Sequence, residues 1–388
     1  MTFDRRSFLR TAGFASVAAA VANFTEAQFA LAQRPDMPRF SRDAVFINAN
    51  ENPLGPCDAA RAAMTAAVSD CGRYRDDLTL DLINFFAEQN GLKPNYVAPY
   101  PGSSQPLTYS VWAFADKERP LVVGDPGYEA AGHTATFAGI PTFKVPLTGT
   151  YAHDVKAMVA ASPNAGLYYI ASPNNPTGTV TPRADIEWLL ANKPKGSIVL
   201  LDEAYIHFSD ATPCLDLVAQ DKDIVVLRTF SKLYGMAGAR LGFMVARPDL
   251  MKRVQEIGGW TFCPITAVQG GLAALKDPTV VAKRKQINAA ARQETFEWLT
   301  SKSFPFVPSE ANHFMLDTKR PTKQVIDAMA AKKIYIGRAW PAWPTHVRIT
   351  VGTRDEMSRF RAAFQQVMEA PMTANLPSHQ HTRTELFS

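Results

Sequence analysis

The chain has 388 residues, 46% of them hydrophobic and 20% charged, with 41 basic against 36 acidic side chains and a formal net charge of +5. That length exceeds one ordinary core and predicts two domains of a soluble globular protein. The small charge excess is scattered without a basic block, which excludes a dedicated nucleic-acid surface; Cys57, Cys71, Cys214 and Cys263 form no C-x-x-C pair and no zinc spacing with histidine, which points to free thiols.

Residues 1–32 stand apart. Asp4-Arg5-Arg6-Ser7-Phe8-Leu9-Arg10 puts two adjacent arginines before an apolar pair, and the alanine-rich run Thr11 to Ala22 is too short and too mild to span a bilayer. Ala30-Leu31-Ala32 offers small residues at the two positions a signal peptidase reads. The segment resembles a twin-arginine export signal and predicts a periplasmic or otherwise exported protein, or a cytoplasmic one if the signal goes unused. No later segment is long and apolar enough to cross a membrane, so the mature form is expected to have no membrane partner.

Residues 33–60 read as an N-terminal arm joining a small domain. Its polar run Asn48-Ala49-Asn50-Glu51-Asn52-Pro53-Leu54-Gly55-Pro56 is full of turn formers. Residues 61–276 read as a large domain. Cys57 to Val68 and Leu78 to Gln89 have helical spacing, the second ended by Asn90-Gly91. Tyr100-Pro101-Gly102-Ser103-Ser104-Gln105 opens a helical run, Pro106 to Ala115. Glycine and two serines at a helix N-terminus make a seat for an anion, although capping alone explains serines there. Leu121 to Val123 is a short strand running into Gly124-Asp125-Pro126-Gly127-Tyr128, which presents Tyr128 for stacking on a ring or for packing in the core.

An α/β pattern follows. The apolar strands Gly166 to Ile170, Ser197 to Leu201, Ile224 to Leu227 and Leu241 to Ala246 alternate with helical stretches, so a mostly parallel sheet covered on both faces is expected. In such sheets ligands bind beyond the carboxyl ends of the strands. The polar clusters Ser172 to Gly178, Asp202-Glu203-Ala204-Tyr205 and Thr229 to Arg240 each follow a strand end. Residues 277–370 read as a smaller α/β domain. It holds a long helix Val280 to Leu299, strands at Phe306-Val307, Phe314 to Leu316, Ile334 to Ile336 and Val347 to Val351, and a last helix from Arg354 to Met368. Residues 371–388 are polar and read as a disordered tail.

The clusters together supply what pyridoxal 5'-phosphate needs. Lys232 is an amine among small and apolar residues, where its pKa falls and it can form a Schiff base. Asp202 suits the pyridine nitrogen, while strand alternation turns Glu203 elsewhere. Asn175 and Tyr205 suit the phenolic oxygen, and Tyr128 suits the ring face. Ser231, Arg240 and the amides at Gly102, Ser103 and Ser104 suit the phosphate. Singly, each has a plain structural explanation: a cap, a turn former, a core ring, a surface ion pair. Their order after successive strands favours one cofactor site, with Lys232, Asp202 and Tyr205 catalytic.

These runs, with Arg73-Tyr74, Ala311-Asn312-His313-Phe314 and Val347-Arg348-Ile349-Thr350-Val351-Gly352, resemble the fold-type I, class I/II pyridoxal phosphate aminotransferases, above all the histidinol-phosphate aminotransferase group. The resemblance implies a homodimer with shared active sites, in which Tyr74 reaches the phosphate of the partner's cofactor. It further implies that Arg348 binds the substrate's anionic end, that Arg338 helps hold a substrate phosphate, and that Asn312 and Asn52 lie at the substrate. The small-molecule partners it implies are an amino donor and a 2-oxo acid. Leu54 stands where the group often has tyrosine, and the Pro-Ala-Trp-Pro run around Trp343 is a bulky insertion between the two arginines. Rival readings are an aromatic or other amino-acid aminotransferase, an amino-acid phosphate decarboxylase on the same scaffold, and an exported binding protein without turnover.

Overall fold

The computed structural model describes residues 43–259 and 261–371 together with Phe29 and Ser41. The export signal expected in residues 1–32, apart from Phe29, and the tail expected from residue 372 onward lie outside the described residues. The strands are β1 (Val45–Ile47), β2 (Val97–Tyr100), β3 (Leu121–Asp125), β4 (Thr142–Pro146), β5 (Leu167–Ala171), β6 (Ile198–Asp202), β7 (Ile224–Thr229), β8 (Gly242–Ala246), β9 (His313–Asp317), β10 (Ile334–Ile336), β11 (Ala339–Trp340) and β12 (Trp343–Thr350).

The central sheet has seven strands in the order β2-β8-β7-β6-β5-β3-β4. Strands β4, β3, β5, β6 and β7 run parallel, and β8 runs against both β7 and β2. Every residue of β5, β6, β7 and β8 is buried, which explains why these strands read as unbroken apolar runs. The twofold alternation divides them between two cores. Tyr168, Ile170, Val199, Leu201 and Val226 face the helices Asp76–Gln89 and Ile265–Lys276. Tyr169, Ala171, Leu200, Leu227 and Met244 face the helix Ser104–Phe114. Asp202 continues the parity of Ile198 and Leu200 onto the second face, whereas Glu203 turns to the first.

Two strands of this sheet, β2 and β4, are absent from the sequence reading. Pro99 interrupts the first, and the second is a half-exposed edge.

The C-terminal part builds a third core. Strands β11, β12 and β9 form an antiparallel sheet, and the arm joins this core through β1, which pairs in parallel with β10 as a separate two-stranded sheet. Val45, Ile47, Phe314, Leu316, Ile334, Ile349, Phe360 and Phe364 fill this core. The helix Arg354–Glu369 starts in a capping box: the Thr353 hydroxyl accepts from the Glu356 amide, and the Glu356 carboxylate accepts from the Thr353 amide. Phe306-Val307 is no strand; only an isolated bridge joins Phe306 to Leu316. The run around Trp343 is the turn of the β11–β12 hairpin, with Trp340 opposite Trp343. No helix among the described residues is long and apolar enough to cross a membrane.

Candidate active site

A cavity of about 300 Å³ opens at the carboxyl edge of the central sheet. Gly102, Tyr128, Asn175 and Lys232 lie two to four residues beyond the ends of β2, β3, β5 and β7, and Asp202 ends β6. Arg240 belongs to the same edge for the opposite reason. Strand β8 is reversed, so its first residue, Gly242, pairs with the last residues of β7 and β2, Thr229 and Tyr100. Ser103, Ser104, Tyr128, Asn175, Asp202, Tyr205, Ser231, Lys232 and Arg240 all line the cavity.

Lys232 is only 9% exposed, and its Nζ donates to the Ala49 carbonyl at 3.2 Å and stands 5.6 Å from the Tyr205 ring centroid. Asp202 accepts from the Tyr169 hydroxyl at 3.0 Å and the Ala204 amide at 3.1 Å. Burial nonetheless pushes its carboxyl up to about 6, the two hydrogen bonds opposing the shift. A buried acid poised this way is well suited to a cation placed beside it. Glu203, one residue on, serves the core: it accepts from the Arg228 guanidinium at 2.7 Å and from the Cys214 amide at 2.8 Å.

The Tyr205 hydroxyl accepts from Asn50 Nδ2 at 3.0 Å. His313 packs edge-on beneath the Tyr205 ring, with centroids 4.6 Å apart. Asn175 Oδ1 accepts from Arg348 at 2.8 Å. An arginine only donates, so this contact fixes the amide's orientation and makes its NH2 the donor for other partners.

The anion seat is built from three segments. Arg240 donates to Ser231 Oγ at 3.3 Å, to the Ala237 carbonyl at 2.8 Å and to the Pro101 carbonyl at 3.3 Å. Burial lowers its pKa from the usual arginine value, and it stays a cation. Gly102 has φ +87°, and a Cβ there would lie 2.1 Å from the Arg240 guanidinium. The glycine therefore lets the backbone close on the arginine next to the N-terminus of the helix Ser104–Phe114. One amine, one carboxylate, amide and phenol donors and a cationic cradle in one cavity fit pyridoxal 5'-phosphate.

The remaining expected site residues are placed less directly. Arg348 is fully buried behind Asn175 and also donates to the Asn48 carbonyl at 2.6 Å. Asn312 donates to the Asn50 carbonyl at 3.0 Å, and Asn52 donates to the Leu233 carbonyl at 2.9 Å, so both tie the arm beside the cavity. They line a neighbouring space of about 190 Å³ with Leu54 and Arg284, which Glu51 shares with the main cavity. Tyr74 lies outside both cavities, 77% exposed, its ring tilted against that of Phe262 with centroids 5.0 Å apart. Arg338 lies outside them too and is held by Glu129. Sequence reasoning missed Tyr169, Asn50 and the Ala49 carbonyl. Tyr169 stands in an apolar strand, but it shares Asp202's parity one strand away, a signal that register would have exposed.

This geometry defines a pyridoxal phosphate enzyme of the fold-type I class. The profile of the family "Aminotransferase class I and II" matches residues 42–364, and the chain belongs to that family. A histidinol-phosphate aminotransferase from Symbiobacterium thermophilum is 33% identical over 330 residues, 84% of this chain and 91% of the relative. The crystal structure of histidinol-phosphate aminotransferase from Sinorhizobium meliloti in complex with pyridoxal-5'-phosphate superposes with a TM-score of 0.78 at 25% identity, covering 86% of this chain and 96% of that one. A crystal structure from Erwinia carotovora atroseptica superposes with a TM-score of 0.80 at 31% identity over 83% of this chain and 95% of that one. The protein is thus a pyridoxal phosphate-dependent transaminase, similar to histidinol-phosphate aminotransferases, that uses amino and oxo acid substrates.

Proposed function

We propose that Lys232 is the residue that binds the cofactor and moves the proton, in an enzyme that passes an amino group from an amino donor to a 2-oxo acid. The observation that carries this reading is the convergence of Lys232, Asp202, Tyr205 and the Ser231–Arg240 cradle on one cavity. When bound, the cofactor supplies an electron sink for the bond broken at the donor's α-carbon. Asp202 would stand to its ring nitrogen as the counter-charge, Asn175 and Tyr205 to its phenolic oxygen, and Ser231, Arg240 and the Gly102–Ser104 amides to its phosphate. Lys232 Nζ would take the proton from the donor's α-carbon as general base and hold it for return as general acid. The Ala49 carbonyl orients the amine. Arg348, aligned by Asn175 and Asn48, anchors the substrate's anionic end.

Lys232→Ala should abolish turnover and remove the visible absorbance of the lysine-bound cofactor; full transaminase activity in that variant would sink the assignment. A panel of amino donors with 2-oxoglutarate, histidinol phosphate included, identifies the donor. Proportional loss of 2-oxoglutarate separates transamination from lyase or decarboxylase chemistry.

The large and small domains are proposed to meet near residue 276, with the arm belonging to the small one; the β1–β10 pairing supports this. We also infer a homodimer whose contact includes Tyr74 and Phe262. An exposed aromatic pair, 77% and 60% accessible, supports it. Sedimentation of Tyr74→Ser/Phe262→Ser should show more monomer than wild type. Export by the twin-arginine route is proposed from Arg5-Arg6, the alanine-rich run after them and Ala30-Leu31-Ala32, and predicts that Arg5→Lys/Arg6→Lys stays in the cytoplasm on fractionation.

A further inference from the structure

Where the proposed large and small domains meet, a carboxylate of the first, Glu129, holds an arginine of the second, Arg338. Arg338 is 2% exposed. Its two terminal nitrogens donate to the two Glu129 oxygens at 2.9 and 2.8 Å. The Trp340 ring lies 4.4 Å from the guanidinium carbon and the Phe29 ring 4.9 Å from it. Trp340 donates from Nε1 to the Gly127 carbonyl at 3.2 Å and stands 5.3 Å from the Arg348 guanidinium.

A continuous path ties this pair to the cavity. Glu129 follows Tyr128, which lines it, and Arg348 donates to Asn175, which also lines it. Arg338 and Glu129 therefore lie just outside the cavity lining, next to residues that form it, and not on a remote surface.

We propose that Glu129 is a specificity-determining residue that turns this end of the cavity against amino donors with a phosphate or carboxylate tail and toward donors with an uncharged, ring-bearing tail. The inference rests on the aminotransferase reading above. A bidentate carboxylate fills the fork that a phosphate would use. An anionic tail must either displace Glu129, leaving a carboxylate beside the incoming charge, or bind next to it against like-charge repulsion. An uncharged ring meets neither cost and has the Trp340 ring beside Arg338 to pack on.

The test uses two compounds that differ only by a phosphate, histidinol phosphate and histidinol, titrated into the cofactor-loaded enzyme and followed by cofactor absorbance. In Glu129→Gln the ratio of the two dissociation constants should shift toward histidinol phosphate by about tenfold or more, the scale of a charge-assisted hydrogen bond. Glu129→Ala guards against misfolding of the first variant and should shift the ratio the same way. Glu129→Gln/Arg338→Ala should lose the gain. A ratio unchanged within about twofold overturns the proposal, since about twofold lies below the few-fold effect of even a modest hydrogen bond. So does a shift toward histidinol, which would make Glu129 a positioning residue for phosphate recognition. A gain that survives Arg338→Ala, or no response to either compound in any variant, overturns it as well. Failure of the aminotransferase reading shows separately, as a wild-type enzyme that consumes no 2-oxoglutarate with any donor, because the binding ratio needs no turnover.

Discussion

The two ends of the cavity are made by different means. At the cofactor end, Asp202, Lys232, Asn175 and Arg240 are fixed by the ends of hydrogen-bonded strands whose residues are fully buried. At the other end, the walls come from the arm and the turn after β3, and the β11–β12 hairpin stands behind them through contacts such as Arg348 with Asn175 and, next to it, Arg338 with Glu129. Those partners lie 173 and 209 residues apart in the chain. The first end is as rigid as the sheet. The second depends on contacts between segments far apart in the chain, so selectivity can change without disturbing the chemistry.

Removing the charge at the first end should have the largest effect. Asp202→Asn keeps the shape but not the anion, and kcat should fall by about 10²- to 10³-fold, the scale of losing one preorganised electrostatic partner. KM should change little, because the seam is intact. The same carboxyl sets a pH dependence. Burial raises its pKa to about 6 from the ordinary aspartate value of about 3.8. A raised carboxyl pKa means that the protonated form is favoured by folding, so its contribution to stability is present below about 3.8 and is lost as pH rises through about 6. A cationic ring nitrogen reverses that preference. Cofactor affinity should therefore weaken as pH falls through about 6, and Asp202→Asn should flatten the profile there. Equilibrium dialysis of the cofactor across this range checks it.

Gly102→Ala attacks the same end through the backbone. The new Cβ meets the Arg240 guanidinium at 2.1 Å and sits at φ +87°. The left-handed backbone costs about 1–2 kcal/mol, and a displaced arginine loses a charge-assisted contact with phosphate. Cofactor affinity should fall by about 10- to 100-fold. The rate of the cofactor-saturated enzyme should change far less. Equal losses in both would mean that the seat also positions the reacting atoms.

The contrast explains what could be read from sequence. Apolar strands betray themselves by composition, and a polar residue just past each one has few explanations other than a site at the sheet edge. That is why Asn175, Asp202, Lys232 and Arg240 were legible. Tyr169 was not, because a tyrosine in an apolar strand looks like core until the register places it beside Asp202. Asn50 was hidden among turn formers, although its amide holds Tyr205. Arg338 was legible as an arginine but not as a paired one. Nothing local marks Glu129 as its partner, since the docking of two domains creates the contact. The β11–β12 hairpin around Trp343 could not be read, because a tight hairpin with a register shift has no periodic signature.

The smallest expected effect is the sharpest test of separateness. Trp340→Phe keeps an aromatic ring beside Arg338 but removes the Nε1 donor to the Gly127 carbonyl, a contact that crosses the domain seam. One such neutral hydrogen bond contributes about 0.5–1.5 kcal/mol, so docking should weaken by a few-fold. The loss should fall on KM for the amino donor, since the donor is enclosed by the docked seam. Cofactor affinity should be unchanged, because β11 and β12 supply no residue to the cofactor cradle. Measuring donor KM and cofactor affinity on the same preparation decides the matter: parallel losses would mean that the seam transmits strain to the strand ends and that the two ends are one mechanical unit.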